Sequence, residues 1–409
     1  MLRLYNTLSK SFEVFHPFNK SVVSVFTCGP SVYQRAHIGN FRTFLIEDIL
    51  LRYLEFLGYR VIRGMNFTDI EDKAINEAEK RNLSLKTITE NNIRKFIHEM
   101  KMLRMKKPEF LPRASENIDM AINIIEILLR KGIAYKYKNN IYFDALKFKG
   151  FGKLYGLDLS KWPEEKKRFH KDTYPGIQWN LGDFILWHGC KENDKYCWNS
   201  PFGPGRPAWN VQDPSMVLKH FSETLSIYCG GIDNLYRHHD YSLAIIESVK
   251  PYPMARYWLH CQHLYIDGKK MSKSRGNILY IDDLRKKGYS LKEIRCFLIC
   301  GHYREILNYS ETNLKNISLQ LKALRKTVFK IDNIAKRFSN DRISGANKYK
   351  KNLINIFKRN MDNDLHVKEA FNEIADFVSR INIDKLKPEN AYKIIQSLKK
   401  IDKVLMVIF

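Results

Sequence analysis

The chain has 409 residues with 44% hydrophobic and 13% aromatic side chains, enough to bury a large core, which excludes a disordered chain and suggests two or three domains. Sixty-nine Lys and Arg against 44 Asp and Glu leave a formal charge of +25, which points to a polyanionic partner, nucleic acid before others. Seven cysteines without a Cys-x-x-Cys pair speak against a secreted disulfide framework and for reduced thiols in the cytoplasm. Neither a signal peptide nor a bilayer-length apolar run is legible, so no membrane partner is expected.

In chain order, "SVVSVFT" (21–27) is β-branched, apolar and short, and reads as a buried strand. Leu45, Ile49, Leu50, Tyr53, Leu54 and Leu57 then recur at helical spacing, with Gly58 where a C-terminal cap belongs. "YRVIRGMNF" follows as a second strand. Strand, helix and strand in about forty residues form a βαβ unit, which predicts a doubly wound parallel sheet. The stretch 112–201 reads differently. It has one amphipathic helix ("ENIDMAINIIEILLRKGIAY"), strand-like "NIYFDA" and "DFILWH", and the charged span "KWPEEKKRFHKDTYPG". It is expected to be a domain inserted into the sheet. "TLSIYCGG", helical "LAIIESVK" and the strand "YWLHCQHLYIDG" resume the sheet. Ser290 and Glu293 form a capping box before "IRCFLICGHY", and two to four helices follow. Glu311 to Phe409 carries 21 Lys and Arg against 11 Asp and Glu, and the closing "KVLMVIF" reads as a buried last helical turn.

Two stretches carry chemistry. In "VFTCGPSVYQRAHIGNF" the first strand stops at Cys28, turns through Gly29-Pro30, and a helix starts at His37-Ile38-Gly39-Asn40. Ligands of a doubly wound sheet bind at such a strand end, where helix N-termini direct free N–H groups. Gly39 would let a charged ligand approach the backbone, and His37 could donate to phosphate oxygens. The second stretch, "DGKKMSKSRGN", sets Lys269, Lys270, Lys273 and Arg275 among serines and glycines, charges suited to a transferring phosphate.

H-I-G-N and K-M-S-K-S on such a sheet resemble the class I aminoacyl-tRNA synthetases. "MNFTDIEDKAINEA", "SPFGPGRPAWNV", "CGGIDNLYRHHD" and "LICGHYREILNYS" narrow the resemblance to the cysteine–tRNA ligases, from about residue 4 to 364. The resemblance implies a Rossmann-type doubly wound sheet with an inserted connective domain and a helical bundle: catalytic halves at 1–111 and 202–260, an insertion at 112–201, the lysine loop and stem-contact region at 261–310, and a basic bundle at 311–409 with the anticodon domain missing or vestigial. It implies ATP-dependent formation of cysteinyl-adenylate and transfer to tRNA(Cys), with ATP, Mg2+ and Zn2+ as cofactors; the sequence does not give the oligomeric state, and a monomer is the expectation. By the same resemblance His37, Asn40, Lys270 and Lys273 are catalytic. Gly29, His37, Gly39, Asn40, Met271 and Lys273 hold ATP, and Cys28, Thr68 and Trp209 meet the amino acid.

The metal corner departs from the family pattern. The expected ligands are two cysteines, a histidine and a glutamate. Here Cys28 and His238 are kept, Asp213 stands at the second cysteine and Ser242 at the glutamate, and Tyr228-Cys229 replace His-Gly of "H-G-G-G". Two readings stand. Cys28, Asp213 and His238 could hold zinc with an open fourth position for the substrate thiolate, with Cys229 as a further candidate ligand; or the metal is gone, and His238-His239 is only a helix-start pair. Two other functions stay in view: a paralogue passing its adenylate to a small amine, and a decayed tRNA-binding module.

Overall fold

The computed structural model describes residues 1–19, 21–157, 183–272, 275–338 and 348–409, the side chains of 348–351 excepted. An antiparallel pair, β1 (Arg3–Asn6) and β2 (Ser11–Val14), leads into β3 (Val22–Thr27), α1 (Ile38–Phe56) and β4 (Arg60–Met65). β3 and β4 pair in parallel, so the predicted βαβ unit is formed. The apolar stripe of α1 is buried through Phe41, Leu45, Ile49 and Tyr53. Gly58 follows the cap residue Leu57 with φ +98°, a conformation only glycine takes without strain.

Then come α2 (Asp72–Lys80), α3 (Leu85–Met102), α4 (Ile118–Arg130), β5 (Ala134–Tyr137), β6 (Asn140–Phe143), β7 (Phe184–Gly189) and β8 (Gly205–Pro207). β5 to β8 make an antiparallel sheet of their own, in sequence order. The charged span 161–176 lies outside the described residues. Cys190 and Cys197 form a disulfide just after β7, so the expectation of thiols throughout fails for this pair. The other five cysteines are free and buried. The chain reversal marked by the Trp198–Gly205 bridge and the β7–β8 pairing carries the two cysteines close, which their spacing alone does not reveal.

α5 (Trp209–His220), β9 (Leu225–Gly231), α6 (Asp240–Val249) and β10 (Ala255–Cys261) complete the parallel sheet, ordered β10-β9-β3-β4. The chain steps outward from β3 to β4 on one side and from β9 to β10 on the other. The switch point is therefore between β3 and β9, and its crevice opens beyond Thr27 and Gly231. The strand expected over "YWLHCQHLYIDG" is two. After Cys261 the Gln262 N–H turns to the Tyr303 carbonyl (2.7 Å), and β11 (Leu264–Ile266) joins a second sheet. That sheet is ordered β12-β11-β13, with β12 at Lys269–Lys270 and β13 at Leu307–Tyr309.

α7 (Ile281–Lys286) and α8 (Leu291–Ile299) precede β13. After it come α9 (Glu311–Ala335), α10 (Lys348–Met361), α11 (Val367–Ser379) and α12 (Pro388–Leu405). Ser290 and Glu293 make the predicted capping box on α8. A buried ion pair, Arg295 Nη2 to Asp48 Oδ2 at 2.7 Å, ties α8 to α1, while Arg295 also donates to the carbonyls of Leu103 and Leu405. The chain end is not a helical turn. α12 stops at Leu405, Met406 turns left-handed at φ +59°, and the Asp402 carboxylate accepts from the N–H groups of Val407, Ile408 and Phe409. Among the described residues no helix is long and apolar enough to cross a membrane.

Candidate active site

The crevice is built by backbone first. Cys28 N–H donates to the Cys229 carbonyl (2.9 Å), holding the end of β3 against β9. A side chain at Gly29 would put its Cβ 1.8 Å from the Asn66 carbonyl oxygen, so only glycine lets the turn lie against the end of β4. Gly29 N–H donates to Asn66 Oδ1 (2.8 Å). The adjoining Thr68 is half-buried, its N–H on the Pro30 carbonyl and its own carbonyl accepting from Val32.

His37 is the N-cap of α1. Its Nδ1 accepts from Asn40 N–H (3.3 Å) while Asn40 Oδ1 accepts from His37 N–H (3.0 Å). The H-I-G-N run is thus a capping box, with the helix N-terminus opening on the crevice. Because Nδ1 accepts, the proton of the neutral ring sits on Nε2, as a donor. Burial pushes His37 below its ordinary pKa, against the opposing pull of Asp233, so the ring is neutral at pH 7. Gly39 is the meeting point of the two motifs. A Cβ there would fall 2.9 Å from Met271 Cε and 3.1 Å from the His37 ring. Ile38 N–H also donates to the Leu279 carbonyl (3.0 Å), beyond the lysine loop.

Lys270 is exposed, its Nζ 3.3 Å from His263 Nε2, and its carbonyl accepts from Arg275 and Asn277. Asn277 Oδ1 also accepts from Ser272 N–H (2.9 Å), closing the loop on itself. Lys273 lies outside the described residues.

On the β9 side the chain runs Gly230-Gly231 into a tight turn at Leu235–His239, where Arg237 takes φ +73°, costly for a non-glycine residue. This turn delivers His238 and His239 beside Cys28. One ligand atom from each of the three lies within 4.8 Å of the others, and all three residues are buried. His238 stacks on Trp209 (centroids 4.4 Å apart, 24°). Asp213 is fully buried and accepts from Asn66 Nδ2 (2.8 Å), Tyr228 OH (2.8 Å) and His238 Nε2 (3.1 Å). Burial alone would raise the Asp213 pKa, but the charge and hydrogen bond of His238, with hydrogen bonds from Tyr228 and Cys28, outweigh it and hold it below the ordinary range. Ser242 Oγ turns away, donating to the His238 carbonyl (2.8 Å). Cys229 is buried on β9 and stays outside the Cys28–His238–His239 group. Burial first, then Asp213, pushes the Cys28 thiol well above its ordinary pKa, which a cation would reverse.

The sequence reading gave no site role to Asn66, Asn234 or His239. Asn66 bridges Gly29 and Asp213, and Asn234 Nδ2 donates to Cys28 Sγ (3.6 Å). The only signal for His239 was its place beside His238.

Residues 14–318 match the family model for the class I (C) tRNA synthetase catalytic domain. The chain is 38% identical, over its whole length and 86% of the relative, to the cysteine–tRNA ligase of Chlamydia pneumoniae. The chain belongs to the cysteine–tRNA ligase family. A cysteine–tRNA ligase of Brachyspira hyodysenteriae is 36% identical over 92% of this chain and 80% of its own. Among solved structures, a ternary complex of Agrobacterium radiobacter leucyl-tRNA synthetase matches with TM-score 0.69 at 11% identity, covering 97% of this chain and 86% of that one. Mycobacterium tuberculosis methionyl-tRNA synthetase bound by methionyl-adenylate matches with TM-score 0.69 at 12% identity, covering 94% and 92%. At such identities the likeness shows the fold, a class I Rossmann-type architecture. As a family member this chain is an ATP-dependent aminoacyl-tRNA synthetase with an amino acid and tRNA as substrates.

Proposed function

We propose that the crevice between β3 and β9 forms cysteinyl-adenylate and passes the cysteine to tRNA(Cys). The observation that carries this is the closeness of Met271 to Gly39, where an added Cβ would fall 2.9 Å from Met271 Cε, so that two motifs distant in sequence meet at the switch point of a parallel sheet. A cysteine carboxylate oxygen attacks the α-phosphorus of ATP, the bond to the β-phosphate oxygen breaks, and pyrophosphate leaves with the electron pair. A terminal ribose hydroxyl of the tRNA then attacks the carbonyl carbon, and AMP leaves. Neither step needs a protein nucleophile, so the residues position and neutralise.

In this reading His37 Nε2–H donates to the phosphates, Asn40 keeps His37 in place, and Gly29 and Gly39 give backbone access. Met271 packs the lysine loop onto Gly39, and Lys270 and Lys273 offset charge growing on pyrophosphate, with ATP entering as its Mg2+ complex. Cys28, Thr68 and Trp209 surround the amino acid. The donors at the metal corner fit zinc, because His238 Nδ1 and His239 Nε2 are buried without a hydrogen-bond partner among the described residues, and each of the two histidines has a ring nitrogen within 4.8 Å of the Cys28 sulfur. Zinc bound there would supply a soft contact to the substrate thiolate that serine cannot match, a distinction packing alone makes poorly. The excess of cations in 311–409 supports phosphate contacts with the tRNA, which salt should weaken.

The test is amino-acid-dependent ATP–pyrophosphate exchange with each standard amino acid, followed by charging of total tRNA. Exchange with cysteine alone and cysteine on tRNA are expected. Exchange with another amino acid, or transfer only to a small amine, would overturn the proposal.

A further inference from the structure

We propose that His239, rather than Asp213, is the third protein ligand of the metal corner. The ion would be held by Cys28 Sγ, His238 Nδ1 and His239 Nε2, with Asp213 orienting His238. The choice of zinc rests on the cysteine-activating reading above; the ligand set rests on the geometry that follows.

Each imidazole has one nitrogen engaged and one left over. His238 Nε2 faces Asp213 Oδ2 at 3.1 Å. An ionised carboxylate only accepts, so Nε2 carries the proton and the Nδ1 lone pair is uncommitted. His239 Nδ1 lies 2.8 Å from His260 Nε2, and His260 Nδ1 lies 2.9 Å from Thr7 Oγ1. With protons on both Nδ1 atoms this relay ends on the threonine oxygen and leaves a lone pair on His239 Nε2. Those two nitrogens are the ones buried without a partner among the described residues. An imidazole whose second nitrogen donates to an acceptor is the usual form of a metal-bound histidine, and here both are set that way.

The space for His239 exists only because residue 230 is glycine. A Cβ there would fall 2.5 Å from His239 Cε1, 3.0 Å from its Nε2 and 3.4 Å from Cys28 Cβ. Asp213 is placed otherwise. Its Oδ1 accepts from Asn66, and its Oδ2 from both Tyr228 and His238, so ligation would strip donors from a fully buried carboxylate. Three protein ligands drawn from cysteine and histidine, with a fourth position for substrate, is the arrangement of catalytic zinc.

X-ray absorption on the zinc-loaded wild-type chain reads the ligands without any variant. The expected spectrum has one sulfur at about 2.3 Å and two imidazoles at about 2.0–2.1 Å. One imidazole with a carboxylate oxygen, or no bound zinc, overturns the proposal. Zinc titration against a chromophoric chelator adds the variants. His239→Gln should lose stoichiometric binding. Asp213→Asn should keep it with affinity weakened roughly 10–100-fold, as for loss of an orienting partner. The reverse pattern in variants with wild-type circular dichroism restores Asp213 as the ligand. Cysteine-dependent pyrophosphate exchange on the same preparations separates the two readings. Exchange without a two-imidazole site leaves the function and removes the ligand set; a two-imidazole site without exchange does the opposite.

Discussion

Gly39→Ala separates the helical role of residue 39 from its place between two motifs. Gly39 lies in the first turn of α1, so alanine fits the backbone. Glycine to alanine in a helix interior gains about 0.5–1 kcal/mol, and somewhat less so near the end. Against this, the new Cβ would meet Met271 Cε at 2.9 Å and two atoms of the His37 ring at 3.1 Å. The thioether end swings aside at little cost. The imidazole is pinned by its capping hydrogen bond and must give by a few tenths of an ångström, at about 0.5–1.5 kcal/mol if it leaves its rotamer. The terms nearly cancel, so the melting temperature should move by no more than about 2–4 °C. Activity should respond far more, because both the His37 Nε2 donor and the seat of the lysine loop shift; a misplacement of about 1 Å can cost roughly 10²-fold. For a shift of a few tenths of an ångström, pyrophosphate exchange at varied ATP should therefore fall about 3–10-fold with KM for ATP raised. Wild-type exchange with an unchanged KM would show that Gly39 does not face the nucleotide. A large drop in melting temperature would show that the packing argument is wrong.

Asp48→Asn leaves the Arg295 guanidinium buried without its counter-charge and should destabilise the chain by about 3–5 kcal/mol in denaturant unfolding. In the wild type, burial raises the Asp48 pKa but Arg295 and Arg52 outweigh it, so the folded value is depressed. Its stabilisation is then complete above the unfolded value, about pH 4, and is lost as pH falls through the folded one; the variant should lack this part of the acid transition. Trp209→Ala removes the ring stacked on His238 and should raise KM for cysteine about 2–10-fold with KM for ATP unchanged, a split that steady-state exchange reads. Asp213→Cys and Tyr228→His restore the family residues at two touching positions, so their stability effects should be non-additive by more than about 0.5 kcal/mol in a double-mutant cycle.

What the sequence revealed and what it hid divide along the range of the interactions. The β3–α1–β4 unit, the glycine stop at Gly58 and the Ser290 capping box are local, set by periodicity and by residues three or four apart. The crevice could be placed for the same reason, since a strand end followed by a capped helix is a local pattern. The partners of Asp213 could not. Asn66 lies 147 positions away, and nothing near it marks it as a donor to a buried carboxylate. The break after Cys261 depends on the Tyr303 carbonyl, and the left-handed exit at Met406 on the Asp402 carboxylate catching three successive N–H groups. His239 escaped because the family pattern directs attention to one histidine of the pair, whereas the turn at Arg237 brings both to Cys28.

The departures from the family pattern make physical sense as a set. A carboxylate at a fully buried cysteine position would be expensive without donors, and Asp213 accepts from Asn66, Tyr228 and His238. One of these, Tyr228, is itself a departure, standing where the family has histidine. Ser242, at the family's glutamate, removes a second carboxylate that would otherwise share the pocket with Asp213, and spends its hydroxyl on the His238 carbonyl. Each change therefore answers another. Reverting Asp213 alone to cysteine would leave the Tyr228 hydroxyl, an Asn66 N–H and the His238 Nε2–H short of an acceptor in a buried site, at about 1–3 kcal/mol each. Reverting Ser242 alone would set two carboxylates in one buried corner. Neither single step leads back to the family arrangement without passing through a less stable protein, so the altered corner has become its own solution.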